Sequence, residues 1–371
     1  MNSEPSRRDA RALSIPQTSL HSTDFSRILR SRNPLGGGGA EPSVSHTPLI
    51  LAPMAGITDT VFRRLCKQHG ADITVSEMVS ADGLHYKSAD TAELMSFDDS
   101  ERPFGVQLFG SDPRRLAQAA QIAFDTVKPD FIDLNSGCPV AKVVKRNGGS
   151  ALLREPKLFG NIIKAMSDAV PIPVTVKIRS GWNKYEWVDE ELARIAQDNG
   201  AAALTLHPRS QTMMFTGHSF WERIAVVKKA VSIPLIGNGD ITDGPKALKM
   251  LFETGCDAIM IGRGTYGNPW IFAEIKAALG GKTFAPPSAR ERVNVIIEHI
   301  RAFRNIHGER RACGEMKKHA SWYLKGTAGA SAARSRIFSA NSTIELEDVI
   351  GDFFEINAEI IMQNAEIKNH L

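Results

Sequence analysis

Eight short apolar runs, each followed by a longer amphipathic stretch, constrain this chain more than any other feature. The runs fall at 49–53, 72–76, 104–109, 130–134, 172–178, 202–206, 233–237 and 257–261. They are near-continuous in apolar or β-branched residues, the pattern of parallel strands covered on both faces. Helix starts lie between them: Asp59, Asp112 before Pro113, Glu155 before Pro156, and Asp243 before Gly244-Pro245. Gly70, Gly200 and Gly255 mark helix ends. Eight such units predict an α/β chain folded as a (β/α)8 TIM barrel over 47–283. A doubly wound sheet is the alternative, but it usually needs fewer units and a reversal of strand order.

The flanks read differently. Residues 1–46 are rich in Ser, Pro and Arg, lack apolar periodicity and end near four consecutive glycines. They predict a disordered arm. No apolar core of a secretory signal is present, and Glu4, Asp9, Asp24 and Glu41 argue against a transit peptide. After Pro286-Pro287, the residues Val293, Ile296, Ile297, Ile300 and Phe303 recur at helical spacing. Residues 284–340 hold eleven Lys/Arg against four Glu, whereas 341–371 hold seven acidic residues against one Lys. Residues 284–371 are therefore expected to form a small helical domain with a basic and an acidic half. No run is long and apolar enough to span a membrane. The four cysteines (66, 138, 256, 313) lack metal or disulfide spacing, which fits a reducing, cytoplasmic setting without metal.

In a barrel of this kind the chemistry sits at the C-terminal strand ends. There the sequence places Pro53, Met54 and Ala55, then Gln107, then Asn135 and Cys138. Further along come Lys177 and Arg179, His207 and Arg209, Asn238-Gly239-Asp240, and Gly262-Arg263-Gly264. The last two loops let bare backbone approach an anion and so favour a phosphate-bearing ligand. Lys177 suits a Schiff base, an anion stabiliser such as a partner for the edge of a reduced flavin, or a plain carboxylate pair. Gln107 and Met54, an amide and a soft apolar group, favour a flat heterocycle. Arg179, His207 and Arg209 add donors for an anionic or carbonyl-rich ligand. Cys138 has three readings: nucleophile, general acid or packed thiol. Lys142, Lys145 and Arg146 beside it suit a polyanion, or are simply a charged rim. Lys317, Lys318, Trp322 and Lys325 suit RNA through charge and stacking, although packing of Trp322 on the barrel explains the aromatic equally well.

In order and spacing these motifs resemble the tRNA-dihydrouridine synthase family, nearest its bacterial B type. The matching stretches are 51–59, Asn135-Ser136-Gly137-Cys138-Pro139, Lys177-Ile178-Arg179, His207-Pro208-Arg209, 237–240, 260–263, 267–272 and 316–319. The resemblance implies an FMN enzyme that reduces uridine in tRNA, reloaded by NADPH or NADH. It implies that Pro53, Met54, Ala55, Gln107, Lys177, His207, Asn238, Gly239, Asp240, Gly262 and Arg263 hold the flavin. Cys138 is then the proton donor. Asn135, Arg179 and Arg209 would meet the uracil, and Lys142, Lys145, Arg146, Lys317 and Lys318 the RNA. Ser136 departs from the bulkier apolar residue of many relatives. A monomer is the expected state. The competing readings are a flavin oxidoreductase of a free pyrimidine, a non-catalytic RNA-binding protein and a Schiff-base lyase.

Overall fold

The structure is a computed structural model and describes residues 25–30 and 44–355. Its core is one eight-stranded parallel sheet: β1 (Leu49–Leu51), β2 (Thr74–Ser80), β3 (Phe104–Phe109), β4 (Phe131–Ser136), β5 (Val174–Gly181), β6 (Ala203–Ser210), β7 (Leu235–Asn238) and β8 (Ala258–Ile261). The order β1-β8-β7-β6-β5-β4-β3-β2 is that of a TIM barrel, and an Ile50–Ile73 bridge closes it. All eight sequence runs become strands. The helices begin where the capping residues stand, with Asp59, Asp112 and Asp243 each accepting a backbone N–H of the first turn.

Strand parity sorts the side chains. In β4, Ile132 and Leu134 join the apolar layer beneath the helices, while Phe131 belongs to a separate cluster with Ile50, Ile73, Val75, Ala203, Ile236, Ala258 and Met260. Most of that second cluster lies at or near strand starts and fills the barrel interior, and Ala52, just past the end of β1, carries it up to the mouth. Asp133 and Asn135 follow Phe131 at the same parity and point the same way.

The expectation of an unstructured arm over 1–46 fails for Phe25–Arg30, which is helical. Phe25 is 1% exposed and meets Phe131 edge-on at 5.1 Å, with Ile28 and Leu29 packed on the same interior cluster. The physical reason is an apolar surface at the barrel base that the strands alone leave uncovered. Phe25, Ile28 and Leu29 do stand at i, i+3 and i+4, but a single apolar turn in a polar stretch is too short to mark a helix by periodicity. Residues 1–24 and 31–43 lie outside the described residues.

Beyond the barrel, helices Ala289–His307, Glu309–Tyr323 and Ala330–Ser339 and a helical segment at 343–355 share a second core. Ser288 and Glu291 form a capping box at its entry. Docking onto the barrel depends on Gly267, at φ +64°: a Cβ there would lie 2.3 Å from the Trp322 backbone. Next to it Trp322 stacks on Tyr266 at 4.2 Å, so packing accounts for this tryptophan. Among the described residues no helix is long and apolar enough to cross a membrane.

Replacing Phe25 by Ala removes a contact worth about 1.5–3 kcal/mol. The expected result is faster amide hydrogen exchange across 25–30 and a lower melting temperature. Exchange unchanged from wild type would show that the helix is not held by this ring.

Candidate active site at the barrel mouth

The cysteine loop leaves β4 at Ser136 and is tied down at each carbonyl. Gly137 O accepts from Arg179 Nε (2.9 Å) and from Ser150 Oγ (2.8 Å). Cys138 O accepts from Ser150 N, and Pro139 O from Gln211 Nε2. Gly149 closes against it at φ +58°, where a Cβ would sit 2.7 Å from Cys138 O. Asn135 Oδ1 accepts the N–H groups of Gly137 (3.2 Å) and Cys138 (2.9 Å). Burial pushes the Cys138 thiol above its ordinary range, against the opposing pull of Arg179 and Lys177. The thiol is therefore protonated at neutral pH. Ser136 points the other way, buried, with no hydrogen-bond partner for its hydroxyl among the described residues.

Lys177 projects inward from β5, beside Asn135 in the ladder. Burial and the neighbouring Arg179 lower its pKa to about 8, with Asp133 opposing. Arg179 is lowered to about 10, first by burial and then by Arg209. Its Nη1 donates to Ser210 O, which with the Nε bond ties β5 to the cysteine loop and to β6. Lys177, Arg179, His207 and Arg209 all lie inside strands rather than past their ends, because β5 and β6 continue pairing to Gly181 and Ser210.

Arg209 differs from its expected role as a substrate ligand. Its Nε donates to Thr216 O and Nη1 to His207 Nε2 and Ser219 Oγ. Its Nη2 donates to Gly217 O and to both oxygens of Asp240. All five N–H groups are committed inside the protein, leaving none for a ligand. Asp240 departs in the same way: its carboxylate is bonded to Arg209 and to Ser219 N and faces Arg263 at 3.5 Å. This carboxylate brackets two arginines, and the loop's backbone N–H groups are the part expected to approach an anion. Because Arg209 donates to His207 Nε2, the His207 proton sits on Nδ1. Burial first, then Lys177, Arg179, Arg209 and Arg263, holds this imidazole neutral.

At the opposite rim Asn238 Nδ2 donates to Met260 O, and a Cβ on Gly262 would touch Ala52 and the Met54 sulfur at 3.6 Å. Pro53, Met54 and Ala55 thus lie next to the β8 end. Arg263 is half-exposed and reaches across to Phe215 O. Gln107 is fully buried between Asp133 and Asn135. Lys142, Lys145 and Arg146 are exposed just beyond the cysteine loop. Lys318 pairs with Glu315 and comes within 3.7 Å of a Cβ built on Gly56, at the seam between the mouth and the helices. Lys317 is not brought there: its ammonium donates to Phe338 O inside the helical unit. The site also holds Asp133, Thr175, Ser150 and Gln211, absent from the expected set. For Asp133 a signal existed, its shared parity with Asn135 in β4. Ser150 and Gln211 come from distant loops and left none.

A family model for dihydrouridine synthase (Dus) matches residues 50–359. The tRNA-dihydrouridine synthase B of Vibrio vulnificus is 41% identical over 308 residues, 82% of this chain and 95% of that protein. Its counterpart in Escherichia coli K12 is 40% identical over 308 residues, 83% and 96% of the two chains. Among solved structures, a crystal structure of TcOYE with pHBA overlaps 66% of this chain and 91% of that one, at 12% identity and a TM-score of 0.46. With the family model spanning most of its length and relatives this similar, the chain belongs to the dihydrouridine synthase family.

Proposed function

We infer that this chain reduces the C5=C6 bond of uridines in tRNA to 5,6-dihydrouridine, as a flavin enzyme. The observation that carries the reading is the Cys138 thiol, kept protonated on a pinned loop beside Lys177 and Arg179. Membership of the family supports the reaction.

The donor set of the mouth fits a flavin mononucleotide. Among the described residues no hydrogen bond holds the Lys177 ammonium, although it is half-buried and inward-facing. Asp133 and Asp240 are the carboxylates set against Lys177, Arg179, Arg209 and Arg263. An acceptor-rich ring and an anionic phosphate would balance that excess. Pro53, Met54, Ala55, Gln107, Lys177 and His207 would hold the ring, and Asn238, Gly239 and Asp240 (through its backbone) with Gly262 and Arg263 the phosphate end. Bound there, the flavin supplies a hydride for C6 of the uracil.

The protein's own part is the proton. Cys138 Sγ–H gives it to C5, and the thiolate recovers one from solvent. Negative charge develops toward O4, where Asn135 and the uncommitted Nη2 of Arg179 are the proposed donors. The target base leaves its stack to enter the mouth, at a cost of a few kcal/mol. Lys142, Lys145, Arg146 and Lys318 are proposed to hold the RNA backbone, with residues 284–371 as the tRNA-holding unit. A reduced nicotinamide, NADPH or NADH, is the proposed reductant, and a cytoplasmic monomer the proposed working form.

The purified protein is expected to carry flavin absorbance and to form dihydrouridine on tRNA lacking it, read by mass spectrometry. A well-folded preparation that neither contains nor takes up FMN overturns the reading. In Cys138→Ala the colour and its bleaching by reduced nicotinamide should persist while product formation falls about a hundredfold or more. Full turnover in that variant would remove Cys138 from the acid role.

Lys177 supplies a pH dependence. Below about pH 8 it is an ammonium and attracts an anionic ligand; that attraction is lost as pH rises through about 8. FMN affinity of the apoprotein, titrated by fluorescence quenching, should weaken severalfold from pH 7 to 9. In Lys177→Met this dependence should flatten. Equal wild-type affinity at both pH values would show that the ammonium does not hold the ligand.

A further inference from the structure

We propose that Asp133 is a positioning residue for Cys138, acting through a one-way chain of two side-chain amides, Gln107 and Asn135. The proposal rests on the reading of Cys138 as the proton donor. Asp133 is 4% exposed and lies on the inward face of β4, between Gln107 of β3 and Thr175 of β5 in the ladder. Its carboxylate accepts from Thr175 Oγ1 (2.6 Å) and from Gln107 Nε2 (2.7 Å). Gln107 Oε1 in turn accepts from Asn135 Nδ2 (2.7 Å). Asn135 Oδ1 ends the chain on the N–H groups of Gly137 and Cys138.

The direction of this chain is set by chemistry at both ends. A carboxylate only accepts, so Gln107 must turn its NH2 toward Asp133 and its oxygen toward Asn135. Backbone N–H groups only donate, so Asn135 must turn its oxygen toward the cysteine loop and its NH2 toward Gln107. Of the four ways to orient two amides, one satisfies every bond. Any flip sets donor against donor or acceptor against acceptor where water does not reach. Through Gln107 on the adjacent strand, Asp133 thereby selects the Asn135 orientation that holds the Cys138 backbone, just past the end of its own strand. Its negative charge also faces Lys177, on the adjoining strand, and Lys177 is the titratable group set against it. Charge and direction are therefore separable duties of one side chain, and variants can tell them apart.

Asp133→Ala breaks the chain. We expect product formation from the reduced enzyme to fall tenfold or more, a larger loss than any change in flavin reduction by nicotinamide. The rate and pH profile of Cys138 alkylation by iodoacetamide, followed by mass spectrometry, should shift in this variant. In the Cys138→Ala background the same change should add no further loss, because a residue acting through Cys138 cannot act without it. A second route avoids deleting a buried group. Asn135→Asp alone sets a carboxylate against the Gln107 oxygen and should disturb the alkylation profile. Adding Asp133→Asn lets the whole chain run in reverse with every bond made, and should restore that profile. An unchanged profile in Asp133→Ala, losses that multiply with Cys138→Ala, or no restoration by the paired exchange each overturn the proposal. Failure of the proton-donor reading looks different: Cys138→Ala would then turn over normally, whatever Asp133→Ala does to the thiol.

Discussion

The Arg209 guanidinium is buried at the end of β6 with every N–H committed, and the arrangement of the mouth follows from that. Removing a charge from water is expensive unless its partners are complete. Here they are: two carbonyls, a hydroxyl, an imidazole nitrogen and the Asp240 carboxylate. Meeting those demands fixes four things together. The 216–219 segment folds back onto the strand, Asp240 takes a left-handed backbone at φ +59°, His207 becomes an acceptor, and Arg263 gains its carboxylate neighbour. Arg209 has no N–H left for a ligand, and Asp240 links it to Ser219 N and Arg263. What it leaves is a mouth in which Lys177, Arg179 and Arg263 are answered only in part by Asp133 and Asp240. The proposed anionic ligand would complete that balance.

Apolar patterning made the barrel legible. Eight buried parallel strands need near-continuous apolar runs, and no shorter reading of the chain accommodates all of them. Capping residues were equally plain, since Asp59, Asp112 and Asp243 act on neighbours three residues away or fewer. The site was legible in membership but not in duty. Arg179 and Arg209 each stand two residues after a site residue, Lys177 and His207, yet among the described residues Arg209 is saturated and Arg179 keeps an uncommitted nitrogen. That difference is decided by carbonyls at 216, 217 and 210 on loops whose path no local pattern encodes. Lys317 and Lys318 are adjacent in sequence and about 100° apart on a helix. One therefore faces Phe338 O and the other the seam at Gly56.

The two units are held at a fixed relation, and this bears on how a long polyanion could be handled. Gly267 admits the Trp322 backbone where any side chain would collide, and Tyr266 stacks on the Trp322 ring. His307 bridges Asp59 at 3.2 Å and Glu93 at 3.5 Å, tying the far end of the long helix to the cap of the helix after β1 and to helix Ala89–Glu93 after β2. Inside the seam His299 and His319 lie 4.8 Å apart against Phe62, and burial lowers His299 to about 4, so neither carries charge at neutral pH. Buried neutral rings and the glycine contact, with the His307 ties at one end, make an interface that packs like a core rather than sliding like a wet surface. The spacing between Lys318 at the seam and the exposed Lys142, Lys145 and Arg146 beyond Cys138 is then a property of the fold. Charges held at fixed spacing can set the register of a rigid substrate against the pinned thiol, whereas charges on a loose linker could only raise its local concentration.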